Sequence, residues 1–234
     1  MSPNSLLKDK QVLVLDGDDG IGAAVTAQFK AEGARVVSVQ VSGTDVVAAF
    51  DQATSQLGDI DVVVNAISTW EPLVPESWTS DRWHELNQRN GEVAMLVGQL
   101  ALKRLRSPGV VCSVSSVWAM ATSPEMGLFG ASKAALGPIT KAVALAGISA
   151  GVRANTVVMG LIDTPALRAV VEQAGQAAGR AVSDNLFDQT IPRVPMRRAG
   201  SAEEVANAAV FLCSDHARMI NGASVVVDGG FLYA

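Results

Sequence analysis

The sequence predicts a single domain built on a doubly wound parallel α/β sheet, on three observations. Its apolar runs are continuous and Val-rich, as in "QVLVL" (11–15) and "DVVVNAI" (61–67), the signature of strands buried on both faces. Those runs alternate strictly with helical segments, the order expected of parallel strands joined by helical crossovers. The first run leads through glycines into an Ala-rich helix, "VLVLDGDDGIGAAV" (12–25), which is how a chain builds a cradle for a pyrophosphate. No linker, repeat or low-complexity segment divides residues 1–234, so one domain is expected.

The elements follow in order. After the strand 11–15 comes a helix over 21–32, ended by Gly33. "RVVSVQV" (35–41) is a strand. Residues 44–57 form a helix with Val46, Val47, Phe50 and Leu57 as its apolar positions. The strand 61–67 follows, then a mostly helical stretch over 81–106 with an irregular start. "GVVCSVSS" (109–116) is a strand. The helix 130–149 carries Pro138, which must bend it or remove one backbone hydrogen bond. "RANTVVM" (153–159) is a strand, 164–180 a mobile helix, 201–213 a further helix, and "SVVVDGG" (224–230) the last strand.

Composition excludes several function classes. With 49% apolar and 18% charged residues the chain has ample material for a core. A net charge of −5 offers no basic face to nucleic acid. No apolar run approaches the ~18 residues of a membrane span, and "MSPNSLLKDK" lacks the pattern of a signal peptide. Cys112 and Cys213 make neither a disulfide framework nor a metal-ligand spacing. A cytoplasmic protein without membrane or nucleic-acid partners is expected. "DGDDG" has no Glu at the spacing of a calcium loop, so no metal site is expected. His84 and His216 lie in helical surface segments and read as structural.

Several segments, in order along nearly the whole chain, resemble the short-chain dehydrogenase/reductase family. "GIG" (Gly20, Ile21, Gly22) resembles its glycine turn. "DVVVNAIS" resembles its Asp-x-x-x-Asn-Asn-Ala-Gly segment, with Asn65 at the first Asn. "CSVSSVW" resembles the strand bearing its catalytic serine, and "FGASKAAL" its Tyr-x-x-x-Lys. "VRANTVVMGLIDTP", "RRAGSAEEVANAAVFLCSD" and "INGASVVVDGG" resemble its C-terminal third. The resemblance implies a Rossmann-like sheet and hydride transfer with NAD(P). It also implies roles: Ser116 orients a carbonyl, residue 129 moves the proton, and Lys133 tunes that residue and holds the ribose. A supporting asparagine falls near Asn87 or Gln88, and Thr164 touches the nicotinamide amide or caps the helix that follows.

Four departures run along the implied cofactor groove. Matched back from Gly20 and Gly22, the first family glycine becomes Asp16, with Asp18 and Asp19 close by. Two unit charges ~4 Å apart repel by roughly 4 kcal/mol at an effective dielectric of 20, against the about 8 kcal/mol of micromolar binding. Alternatively, Asp18 and Asp19 face water at a helix N-terminus, where acidic groups are favourable. Second, only 19 residues (42–60) separate the second and third strands, so one strand–helix unit after the second strand is expected to be missing. Gln40 then stands where a ribose-binding Asp would. Third, Asn-Asn-Ala-Gly becomes "NAIS", and Ile67 and Ser68 are expected to crowd the sugar and nicotinamide. Fourth, counting thirteen positions on from Ser116 and four back from Lys133 puts Phe129 where the proton donor belongs. A deliberate Tyr-to-Phe exchange would account for Phe129 alone.

Three functions are compatible with this pattern. The expectation placed first is a non-catalytic subunit that binds no cofactor and assembles with an active NAD(P)-dependent relative, or failing that with itself. A cofactor-independent cyclase, dehydratase or lyase using Ser116 and Lys133 is the second. The third is an NAD(P)-dependent oxidoreductase of a secondary alcohol or ketone in which Phe129 replaces tyrosine, NAD(P) binding if the altered site still functions. Trp70 and Trp118 follow strand ends on the ligand-binding edge. They either line a pocket for a small molecule or plug the vacated groove.

Overall fold

A computed structural model describes residues 5–18, 20–165, 167–169, 172 and 190–234. Its main sheet has six parallel strands in the order β2-β1-β3-β4-β5-β8. These are β1 (Gln11–Leu15), β2 (Arg35–Val39), β3 (Ile60–Asn65), β4 (Leu105–Ser116), β5 (Val152–Met159) and β8 (Ser224–Val227). Two short strands, β6 (Ile162–Asp163) and β7 (Gly200–Ser201), pair beside it.

Alternation along the buried strands sends side chains to two cores. Leu13, Leu15 and Val63 join Phe50, Ala53, Val93, Val97 and Val143, from helices α2 (Val46–Leu57), α4 (Val93–Arg104) and α6 (Leu136–Ala146). Val12, Val14, Val62 and Val64 point the other way, against Val25 and Phe29 of α1 (Gly20–Ala31) and Val205 and Ala209 of α7 (Ala202–Cys213). Capping fixes where helices begin: Asp45 accepts from the Ala48 amide at α2, and Ser201 and Glu204 form a reciprocal capping box at α7.

The missing unit is evident in the topology. β2 is the edge of the sheet, and α2 returns from it directly to β3 on the far side of β1. The strand order reverses between β1 and β3, so the crevice beyond Leu15 and Asn65 is the place where such a sheet binds ligands.

Several boundaries differ from expectation for local reasons. β3 stops at Asn65 because its Oδ1 accepts from the Ile67 amide and turns the chain. The stretch 81–106 divides into α3 (Ser80–Asn87), a wide π-type turn (Gln88–Glu92) and α4. The helix carrying Pro138 is two abutting helices, α5 (Gly127–Ala134) and α6, and Pro138 lies in the first turn of α6, where its missing N–H costs least. The last strand ends at Val227, before two glycines with positive φ, Gly229 and Gly230. Of the helix expected over 164–180, all but 164–165, 167–169 and 172 lies outside the described residues. No helix among the described residues is long and apolar enough to cross a membrane.

Candidate active site

A cavity of about 490 Å³ opens at the C-terminal ends of the strands, within the size range of small-molecule and cofactor clefts. One end lies against Asp16, Gly20, Ile21, Gly22 and Gln40. The other lies against Ser116, Phe129, Lys133 and Thr164. Trp70 and Trp118 both line it, and Trp118 meets Phe231 edge to face at 5.7 Å. The tryptophans are therefore walls of an open pocket and do not fill it.

The glycine turn is built around contact. A Cβ on Gly22 would lie 1.9 Å from the Asp16 carbonyl oxygen, so nothing larger than glycine lets α1 start against this loop. Asp16 itself adopts a left-handed φ of 54°, uncommon for a residue with a side chain.

Its carboxylate corrects the expectation of an anion lying across the cradle. Oδ2 accepts from Arg89 Nη2 at 2.9 Å and Oδ1 accepts from the Val41 amide at 2.9 Å. Arg89 Nη1 also donates to the carbonyls of Val41 and Gly43. The charge is thus paired and turned toward the β2–α2 loop. Asp18 is exposed and accepts a hydrogen bond from the Ser38 hydroxyl. Asp19 lies outside the described residues.

A second correction concerns "NAIS". The Ile67 side chain is buried in the core shared by α2, α4 and α6 and leaves the cavity free; Ala66 and Ser68 line it instead. Ile67 contributes its carbonyl, which accepts from Lys133 Nζ at 3.0 Å.

Lys133 is fully buried in α5 and donates also to the Val114 carbonyl at 3.4 Å. Burial pushes its pKa down to about 7; the nearby Arg89 guanidinium adds to the fall and the Asp16 carboxylate opposes it. Phe129 lies one helical turn before it, on the same face, and brings no ionisable hydrogen. Ser116, at the end of β4, accepts from the Trp118 amide at 3.3 Å, which leaves its own hydrogen free to donate into the cavity. Thr164 Oγ1 accepts from the Leu167 amide at 3.1 Å, so it caps the following turn while facing the cavity.

Within the stretch 87–90 the asparagine that the structure buries is Asn90, three positions beyond Asn87. Asn90 accepts from the Thr69 amide and donates to the Thr69 carbonyl and the Ser132 hydroxyl. It thereby joins the wide turn, the loop bearing Trp70, and α5. Asn87 lies beside Gly91, its Oδ1 2.9 Å from where a Cβ on that glycine would stand, and Asn65 is spent on its own turn; neither lines the cavity. His84 and His216 are exposed, and no cluster of metal-ligating groups occurs among the described residues.

The sequence profile of the family described as Enoyl-(Acyl carrier protein) reductase matches residues 41–232. The chain belongs to the short-chain dehydrogenase/reductase family. Acetoacetyl-CoA reductase of Shinella zoogloeoides is 28% identical, over 93% of this chain and 96% of the relative. The NADP-dependent (R)-specific alcohol dehydrogenase of Lentilactobacillus kefiri is also 28% identical, over 96% of this chain and 97% of the relative. Among solved structures, a short-chain dehydrogenase from Burkholderia cenocepacia J2315 in complex with NADP superposes with a TM-score of 0.85 at 25% identity, covering 97% of this chain and 99% of that one. This short-chain dehydrogenase/reductase is thus similar to oxidoreductases, and two of the three carry NADP in their names.

Proposed function

We propose that this chain is a nicotinamide-dinucleotide-linked oxidoreductase of a secondary alcohol or ketone, with Lys133 handling the proton that a tyrosine would otherwise carry. The observation that carries this reading is the continuous cavity from Gly20–Gly22 to Ser116, with the Asp16 charge taken up by Arg89 beside it.

The residues present fit a dinucleotide. The α1 N-terminus at Gly20, Ile21 and Gly22 suits a pyrophosphate. Gln40 at one end of the cavity, Ala66 and Ser68 along it and Thr164 at the other end are the further residues that would hold it. When bound, the dinucleotide supplies or accepts a hydride.

The protein's own residues do the rest. Ser116 donates its free hydroxyl hydrogen to the substrate oxygen and fixes its position. Among the described residues lining the cavity, Asp16 and Lys133 are the ionisable ones, and Asp16 is committed to Arg89. Lys133 Nζ spends hydrogens on Ile67 and Val114. As an ammonium it retains one more, which it gives to the developing alkoxide during ketone reduction. As a neutral amine it accepts the alcohol proton in the reverse direction. Trp70, Trp118 and Met126 supply an apolar wall beside this exchange.

The test is titration of NADH and NADPH into the purified protein by calorimetry, followed by ketone reduction monitored through the reduced nicotinamide. Absence of dinucleotide binding at millimolar concentration refutes the proposal. Phe129 favours a second reading, a non-catalytic subunit that supports an active relative. Under it the isolated chain, and its Phe129→Tyr variant, turn over nothing, while the chain co-purifies with a catalytic partner. Exposed Leu145 and Ile148, at the end of α6 and just beyond it, offer apolar surface for such a contact.

A further inference from the structure

We propose that Arg89 is a positioning residue for the dinucleotide groove: it holds the Asp16 carboxylate away from the phosphate-binding amides of α1. The inference rests on the reading that the groove takes a dinucleotide.

The geometry is specific. Asp16 occupies a left-handed position in the turn directly before α1, and its carbonyl is pressed against Gly22. Without a partner, its carboxylate belongs to the same small space as the α1 N-terminus, where a pyrophosphate and a carboxylate compete for the same amides. Three anchors prevent that. The Asp16 amide donates to the Val39 carbonyl at 2.8 Å. One carboxylate oxygen takes the Val41 amide and the other takes Arg89 Nη2, both at 2.9 Å.

Arg89 reaches this point from an element remote in sequence. The wide turn Gln88–Glu92 sends Asn90 inward and Arg89 across to the end of β2. There its other nitrogen bridges the carbonyls of Val41 and Gly43 at 2.9 and 2.7 Å. A planar guanidinium can hold a carboxylate with one nitrogen and two carbonyls with the other; an ammonium holds a single point. The β2–α2 loop lies at the open edge of the sheet, where a further strand–helix unit is absent. Arg89 therefore fastens that loop and neutralises the acid beside it in one contact set. The pair is only partly exposed, with side chains at 20% and 16%, so salt screens it incompletely.

The experiment measures NADH affinity by calorimetry for wild type, Arg89→Ala, Arg89→Lys, Asp16→Asn, Asp16→Gly and the double variant Arg89→Ala/Asp16→Gly, with circular dichroism checking each fold. Arg89→Ala is expected to weaken binding at least tenfold at 50 mM salt, with the loss shrinking at 500 mM. Arg89→Lys falls between it and wild type. Asp16→Gly in the Arg89→Ala background is expected to restore affinity to within threefold of wild type, since the carboxylate needing restraint is gone. Asp16→Asn alone, which leaves the arginine in place, binds as tightly as wild type or tighter, and this arm decides the matter if Arg89→Ala fails to fold. Wild-type binding with no loss in Arg89→Ala, a loss that Asp16→Gly does not rescue, or weakened binding in Asp16→Asn overturns the inference alone. No binding by wild type overturns the function on which it rests, and the inference with it.

Discussion

Replacing Lys133 by Met should change how stability responds to pH, and the size of the change follows from burial. An unfolded lysine keeps its proton to the ordinary value of 10.5, whereas Lys133 in the folded chain lets it go at about 7. Below pH 7 both states are protonated, and the lysine contributes no slope. Between the two values the unfolded chain binds more protons than the folded one, so stability rises with pH, by at most about 1.4 kcal/mol per pH unit. Allowing for partial protonation near pH 7, the rise between pH 7 and pH 9 sums to roughly 2 kcal/mol. Other groups titrate in that window. Burial raises the Cys213 thiol well above its usual range, which gives a slope of opposite sign. Lys133→Met retains that thiol, so the difference between wild type and variant isolates the lysine. Urea unfolding of both proteins at pH 7, 8 and 9 reads it directly. A wild-type-minus-variant difference that stays flat across this range shows that Lys133 titrates like a surface lysine and refutes the reasoning.

Three further outcomes are expected. Phe129→Tyr places a phenolic proton one helical turn from Lys133 and should raise ketone reduction by at least tenfold, since positioned acid–base groups are typically worth about 10²–10⁴-fold; reduced-nicotinamide absorbance follows it, and an unchanged rate shows that residue 129 does not face the reacting oxygen. In wild type, ketone reduction should decline as pH rises through about 7, because the reaction consumes the Lys133 ammonium, while alcohol oxidation should increase over the same interval; pH–rate profiles in both directions check the opposed signs. Asn90→Ala strands the half-buried Thr69 amide and carbonyl, while the Ser132 hydroxyl keeps its bond to the Phe129 carbonyl, and should cost about 2 kcal/mol in chemical denaturation, given roughly 1–3 kcal/mol for a buried polar group left unpaired.

Much of the sheet was legible because its signals are local. Val-rich runs and the glycines between elements mark strands wherever both faces are buried, and the short interval 42–60 announced the absent unit through chain length alone. What escaped depended on partners distant in sequence. Asp16 reads as a repelling charge until Arg89, 73 positions on, is folded against it, and no spacing rule links the two. A glycine replaced by an acid in a tight turn does imply a compensating cation, but not which of the chain's arginines provides it. Ile67 read as bulk in the groove because the turn imposed by Asn65, which sends that side chain into the core, acts through a hydrogen bond and not through composition. Asn90 hid behind Asn87 because the wide turn at Gln88–Glu92 shifts the helical register.

Ending the sheet at β2 also bears on how the protein behaves when concentrated. An edge strand presents backbone donors and acceptors that invite pairing with another molecule, and among the described residues no further strand pairs with β2 on its outer side. Its sequence places exposed Arg35 at one end, and Asp18 leans onto Ser38 further along. An incoming strand would have to dehydrate a charge of each sign before forming its first ladder bonds. The chain thus keeps a raw margin from seeding aggregates with two charged side chains, without any added fold.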